Sequence, residues 1–200
     1  VNESELLIIL EALTQKIGEW DIGTLNIPQQ HIGLLNIVSA MHLSNFSIWK
    51  QEDIARRTDV EDAVIVQVKR KIDRLNQQRN NLIEEIDLSL LDMGYSKLSN
   101  LDLPMRTETP GGVMDRLSIL ALKVYHMNKQ TVRSDVDENH RQACQEKLAV
   151  LLQQQSNLRK ALMFMFDELN QGKIKFKVYR QYKMYNDPNL NPELYLNKQI

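Results

Sequence analysis

The stretch Thr109-Pro-Gly-Gly-Val-Met-Asp-Arg-Leu-Ser-Ile-Leu-Ala-Leu-Lys-Val-Tyr-His-Met127 decides the fold class. Thr109 can cap a helix, and Pro110 suits its first position because the missing N–H would have no intrahelical partner there. At about 100° per residue, Val113, Leu117, Leu120 and Val124 share one face. Ile119 and Leu122 lie on the opposite side, flanked by Asp115 and His126. A helix apolar on both sides is surrounded by others, so the chain is predicted to be a helical bundle with this segment at its centre.

The flanking sequence supplies the neighbours. From Ser4 to Ile17, Leu6, Leu7, Leu10, Leu13 and Ile17 keep helical spacing, with Gly18 placed to end the helix. After a turn-prone stretch from Gly23 to Gln30 that holds Pro28, apolar residues run from Ile32 through Leu35, Val38, Met41, Phe46 and Trp49 to Ile54, a second helix reaching towards Arg57. Thr58 and Asp59 offer N-cap oxygens for a third helix. In it Val64, Val68, Ile72, Leu75, Leu82, Ile86 and Leu90 keep near-heptad spacing to Gly94, about 35 residues or roughly 50 Å. Gly94 to Glu108 carries Pro104, loses periodicity and reads as a loop. From Ser134 or Asp135 a last helix is predicted to Leu169, on a 3,4 repeat from Leu148, with Gly172 as C-cap. Beyond it Lys173-Ile-Lys-Phe-Lys-Val-Tyr-Arg180 alternates at the strand period. The predicted architecture is all-α: a single bundle of about five long helices over residues 1–172, with a short extended C-terminal arm, 173–200, packed on the bundle or extending from it.

Composition agrees. Glycine (7) and proline (5) are at about half their ordinary share, too few for a turn-rich sandwich or barrel. Hydrophobic residues at 42% exclude a disordered chain, and no run approaches a membrane span. Lys+Arg 25 against Asp+Glu 26 gives a net charge of -1, so charge recognition has to be local. The single cysteine, Cys144, forms no internal disulfide, and a cytoplasmic location is expected.

Four places carry polar residues that a bundle does not need. On the second helix His42, Trp49, Asp53 and Arg56 share a stripe beside Glu52. An aromatic ring with acids and an arginine can hold a sugar or a nucleotide, and the same residues can equally be a core tryptophan with a surface Glu52–Arg56 pair. On the third helix Asp73, Asn76, Asn80 and Asp87 follow one edge of the apolar seam, with Arg79 inside it. Arg79 therefore calls for an acid on a facing helix, or carries its head out to solvent. Asp115 is its expected partner, directly or through Arg56. Pro110-Gly111-Gly112 offers open backbone N–H groups to an anion. In the arm Lys173, Lys175, Lys177, Arg180 and Lys183 interleave with Phe176, Tyr179, Tyr182 and Tyr185; such a pattern can stack on single-stranded nucleic acid or guard an edge strand, and the chain's charge balance favours the second.

No motif for a phosphate loop, a nucleophilic serine or a dinucleotide is present, and His31, His42, His126 and His140 have no metal-ligand spacing. Glu84-x-x-Asp87 is half of the carboxylate pattern by which all-helical nucleotide pyrophosphohydrolases hold magnesium. No metal or cofactor is expected; were there a metal, Asp53, Asp73, Glu84 and Asp87 would be its ligands.

Trp49-Lys-Gln-Glu-Asp-Ile-Ala-Arg56, Lys71-Ile-Asp-Arg-Leu-Asn-Gln-Gln-Arg79 running to Ile86-Asp87, Thr109 to Lys123 with His126, and Tyr182-Lys-Met-Tyr-Asn-Asp-Pro188 resemble, in order, the bacterial family called domain of unknown function 4254. The resemblance implies a helical cytosolic protein of unestablished activity, often encoded beside glycosyltransferases of surface-polysaccharide assembly. Its motif residues here are Trp49, Glu52, Asp53, Arg56, Asp73, Asn76, Arg79, Asp87, Asp115, Lys123 and His126. Three functions follow as expectations: an accessory protein binding a sugar, a nucleotide-sugar or a glycosyltransferase; a metal-dependent nucleotide hydrolase; and a nucleic-acid binder through the arm. No membrane partner is expected, and the oligomeric state stays open.

Overall fold

Asn2 opens the first helix, α1 (Glu3–Asp21), with a capping box: its side chain accepts the Glu5 N–H and Glu5 returns to the Asn2 N–H. The computed structural model describes residues 1–23 and 33–196, so the turn-prone stretch after Gly23, His31, the start of the second helix at Ile32 and the last four residues of the arm lie outside the described residues. Gly18 does not stop α1. Trp20, one turn beyond Ile17, is buried with it, and that burial outweighs a mid-helix glycine's cost of about 1 kcal/mol.

The second helix is α2 (Leu34–Ala55) and the third α3 (Asp62–Asp92), 31 residues long. The predicted caps Thr58 and Asp59 are not used. Asp59 is clamped by both arms of the Arg57 guanidinium (2.9 and 2.7 Å), so α3 starts after Glu61 instead. Past α3, Gly94 takes a φ of 119° and a 3₁₀ turn, Tyr95–Leu98, sends Tyr95 into the core. α4 (Pro110–Thr131) begins as its sequence requires, with Thr109 Oγ1 accepting the Gly112 N–H at 3.1 Å and proline in the first turn. α5 (Glu138–Asn170) is capped by Asp137, not by Ser134 or Asp135. Here too an arginine two residues upstream, Arg133, grips Asp135 with both arms (2.9 and 2.6 Å). Gly172, at φ 67°, ends α5, and a short α6 (Pro192–Tyr195) lies in the arm.

α2 packs chiefly on α3, and α4 chiefly on α5, while α4 also touches α1, α2 and α3. The helix that is apolar on both sides is thus the one with the most neighbours. Leu10, Met41, Ile86, Met114 and Leu162 meet in the main core, and Trp20, Phe46 and Leu122 form a second cluster. Asp21 ties three helices at one end: its carboxylate takes Lys129 (2.7 Å), Lys50 (3.3 Å) and the Tyr125 hydroxyl (3.2 Å).

The arm is extended but is no edge strand, because there is no sheet among the described residues for it to border. Lys175 makes one isolated parallel bridge with Met105, and Ile174 and Phe176 sink into the core. No described helix is long and apolar enough to cross a membrane.

Candidate functional site

Arg79 and Asp115 meet. Arg79 Nε lies 3.8 Å from Asp115 Oδ1, close enough to pair but too long to be a hydrogen bond. Asn45 on α2 closes the gap: its Nδ2 donates to Asp115 Oδ1 (2.8 Å) and to Ser118 Oγ (2.9 Å), while Arg79 Nη1 approaches its Oδ1 at 3.4 Å. Ser118 Oγ in turn sits 2.7 Å from His42 Nδ1. Ser118 Oγ thus joins Asn45 Nδ2 to His42 Nδ1, while His42 Nε2 is buried without a hydrogen-bond partner. His42 is wholly buried against the Trp20 ring, and burial holds its imidazole down at about 3, so it stays neutral. Burial also pushes the Asp115 carboxyl up, and the Asn45 amide and the Arg79 charge pull it back. Arg56 takes no part; it pairs with Glu52 one turn away (2.5 Å).

This buried chain ends at a cleft. A cavity of about 380 Å³ is lined by Asn45, Ile48, Trp49, Glu52, Asp53, Arg56, Arg79, Ile119 and Leu122. Trp49 is half-buried and stacks face to face on His126, with ring centroids 4.5 Å apart and planes 3° from parallel. Behind that stack a neighbouring cavity of about 450 Å³ takes in Trp49, Asp53, Lys123 and His126. Burial lowers the His126 imidazole, against the pull of Asp21 and Asp53, and its Nε2 is a buried atom without a hydrogen-bond partner.

The rest of the predicted set lies elsewhere. Asp73 is exposed and paired with Lys69. Asn76 and Asn80 line neither cavity. The glycine pair is not open to an anion, because the protein provides its own: Gly111 N–H donates to Asp87 Oδ1 at 2.7 Å, and Gly112 N–H is spent on Thr109. The Asp87 carboxylate thus occupies the positive end of α4.

Burial raises the Asp87 carboxyl to about 6, with Thr109 and the Gly111 N–H opposing and Glu84 adding to the rise. A carboxyl raised on folding stabilises fully below its unfolded value, near 4, and loses that contribution as pH rises through 6. Relative to Asp87→Asn, which does not titrate, the wild type should therefore gain roughly 2 kcal/mol in urea melts between neutral pH and pH 4. His42 titrates in the opposite sense in both proteins and cancels from the difference.

The magnesium reading needed three converging carboxylates. Asp87 is bound to Gly111, Glu84 accepts the Gln181 N–H (2.8 Å), Asp73 holds Lys69 and Asp53 faces the Trp49 cavities. No three His, Cys, Asp or Glu among the described residues gather as metal ligands. The arm crosses α3 beside the cleft, pinned by Gln181 on Glu84 and Asn186 on Gln77 (3.3 Å). Half-buried Lys183 lies between them, its amine lowered by burial and by Arg79.

Asn45 and Ser118, the two residues that join the network, escaped the sequence analysis. A signal was there: Asn45 lies one turn from His42 and one from Trp49 on the same stripe, and Ser118 one turn after Asp115.

These features define an all-α bundle with a polar cleft where its second, third and fourth helices meet. The chain belongs to the family described as protein of unknown function (DUF4254), whose model matches residues 35–178. That span holds every residue lining the cleft, while α1 and the Tyr182–Pro188 motif fall outside it. No curated protein and no solved structure matches the chain.

Proposed function

We propose that the protein binds a sugar or nucleotide-sugar in the Trp49 cleft, as an accessory factor to a glycosyltransferase of surface-polysaccharide assembly. The observation that carries this is one cavity in which a half-buried indole, two arginines and two carboxylates face the same space. An indole face covers the apolar side of a sugar ring, carboxylates accept its hydroxyls, and guanidinium groups take a phosphate. Arg79 is held towards that space by Asp115 and Asn45, so its orientation does not have to be acquired on binding. The link to a glycosyltransferase rests on the family resemblance alone.

The test is thermal melting against a panel of nucleotide-sugars. At a ligand concentration about 100 times its Kd, stabilisation should be about 2.7 kcal/mol, a rise of several degrees for a chain of this size. Trp49→Ala should remove the rise while the variant still melts cooperatively. Silence across the whole panel, together with failure to co-purify a glycosyltransferase, would sink the proposal.

A further inference from the structure

The chain's two tryptophans are held in opposite ways. Trp20, 6% exposed, meets both His42 and Phe46, with ring centroids 5.0 and 5.6 Å away, as a core indole does. Trp49 has one ring partner. His126, from α4, lies parallel to it and covers one face, and Tyr125 meets the imidazole edge-on at 5.3 Å and 87°. His126 makes no hydrogen bond among the described residues, and its Nε2 is buried without a partner, so ring contact alone holds the pair. A ligand ring can therefore stack only on the other face of Trp49. The cleft, whose wall includes Trp49 but not His126, is the space that offers it.

The charges around that face cancel. Arg56 is paired with Glu52 and Arg79 with Asp115, and in the neighbouring hollow Lys123 and Asp53 oppose one another without pairing. No excess of either sign is left to select an ion. Asp53, one turn from Trp49 on α2, is exposed and makes no ion pair or hydrogen bond among the described residues, and it lines both the cleft and the hollow beside the indole. Its two oxygens are free to accept from neighbouring hydroxyls, next to a flat apolar face. That pairing suits an uncharged sugar ring, with hydroxyls at its rim and C–H groups on its face.

We infer that the free face of Trp49 and the Asp53 carboxylate form a subsite for an uncharged hexose ring, and that His126 is the residue that positions the indole for it. Asp53 accepts ring hydroxyls; His126 acts by stacking, not through its nitrogens. This rests on the sugar-binding reading of the cleft and names the part of the ligand that is recognised and its charge.

Calorimetric titration of the full chain with UDP-glucose, UDP-glucuronate, GDP-mannose, UDP and GDP tests it. A hexose ester should bind about tenfold or more tighter than its own nucleoside diphosphate, and the glucuronate should bind no tighter than the glucose ester. Asp53→Asn and His126→Ala should each remove about that tenfold while leaving the affinity for the bare diphosphate unchanged, and His126→Phe, which keeps a flat ring without the nitrogens, should restore it. The indole also reports its positioning without any ligand. Trp20 stays buried in these variants, so a red shift of the emission in His126→Ala that is absent in His126→Phe belongs to Trp49. Unchanged emission or affinity in His126→Ala, or a His126→Phe that binds no better than His126→Ala, overturns the positioning role. Diphosphates that bind as tightly as their hexose esters, a preferred glucuronate, or an Asp53→Asn that binds the esters like the wild type overturns the subsite. In those cases binding by the wild type leaves the cleft reading standing; if no nucleotide-sugar binds at all, the subsite falls with it.

Discussion

Asp115→Ala lowers the unfolding free energy by about 3 kcal/mol in urea melts, whereas Glu52→Ala costs under about 1. The two acids each pair with an arginine, and their surroundings decide the difference. Asp115 is 8% exposed and is the acceptor on which Asn45 and Arg79 converge. Truncating it leaves the Asn45 amide with Ser118 and the Met41 sulfur, and leaves the Arg79 charge without a counter-ion. Breaking a fully buried pair costs about 3 to 5 kcal/mol. The loss here falls at the lower end because the Arg79 side chain is 25% exposed and can turn its head to water, and because removing Asp115 also removes the cost of burying its carboxylate. Glu52, by contrast, holds an Arg56 side chain that is 71% exposed. Equal small losses would mean that the network has no structural weight and that Arg79 is not held in the cleft by it.

The Arg79–Asp115 meeting was legible because each charge interrupts an apolar pattern, and an interruption demands a partner. The central place of α4 was legible for the complementary reason: apolar residues all round a helix have only other helices to go to. What escaped was decided by competition between near neighbours. Thr58-Asp59 and Ser134-Asp135 read as caps, yet both aspartates sit two residues after an arginine that takes the carboxylate first. Gly18 reads as a stop until the buried Trp20 beyond it is counted. Asn45 and Ser118 carry no charge, so only their place one turn from His42, Trp49 and Asp115 marks them as polar groups that must be satisfied. The glycine pair offers N–H groups in the sequence, yet the absence of a side chain at one of the two matters more.

Gly111→Ala should cost about 4 kcal/mol and Gly112→Ala almost nothing, although the residues are adjacent in the same first turn of α4. A Cβ at Gly111 would lie 2.8 Å from the Ile83 carbonyl oxygen and 2.8 Å from Asp87 Oδ1. Neither can step aside. The first is backbone inside α3, and the second is held in place by the Gly111 N–H itself. α4 would have to lift away from α3 where Met114 and Leu117 are buried; overpacking of that kind costs about 1 to 3 kcal/mol. Pulling the N–H from Asp87 leaves a buried carboxyl short of a donor, about 1 to 3 more. A Cβ at Gly112 meets Thr109 Oγ1 at 3.4 Å and Glu108 Cγ at 3.6 Å, ordinary contacts, and alanine is the better helix former there. The two variants should melt roughly 10 °C apart. Matching melting temperatures would show that α3 and α4 separate freely at this point. Because the contact lies one to two helical turns along α3 from Arg79, at Ile83 and Asp87, and one along α4 from Asp115, it also sets the distance at which those two meet. Gly111→Ala should therefore weaken ligand protection at the cleft as well as stability, and Gly112→Ala neither.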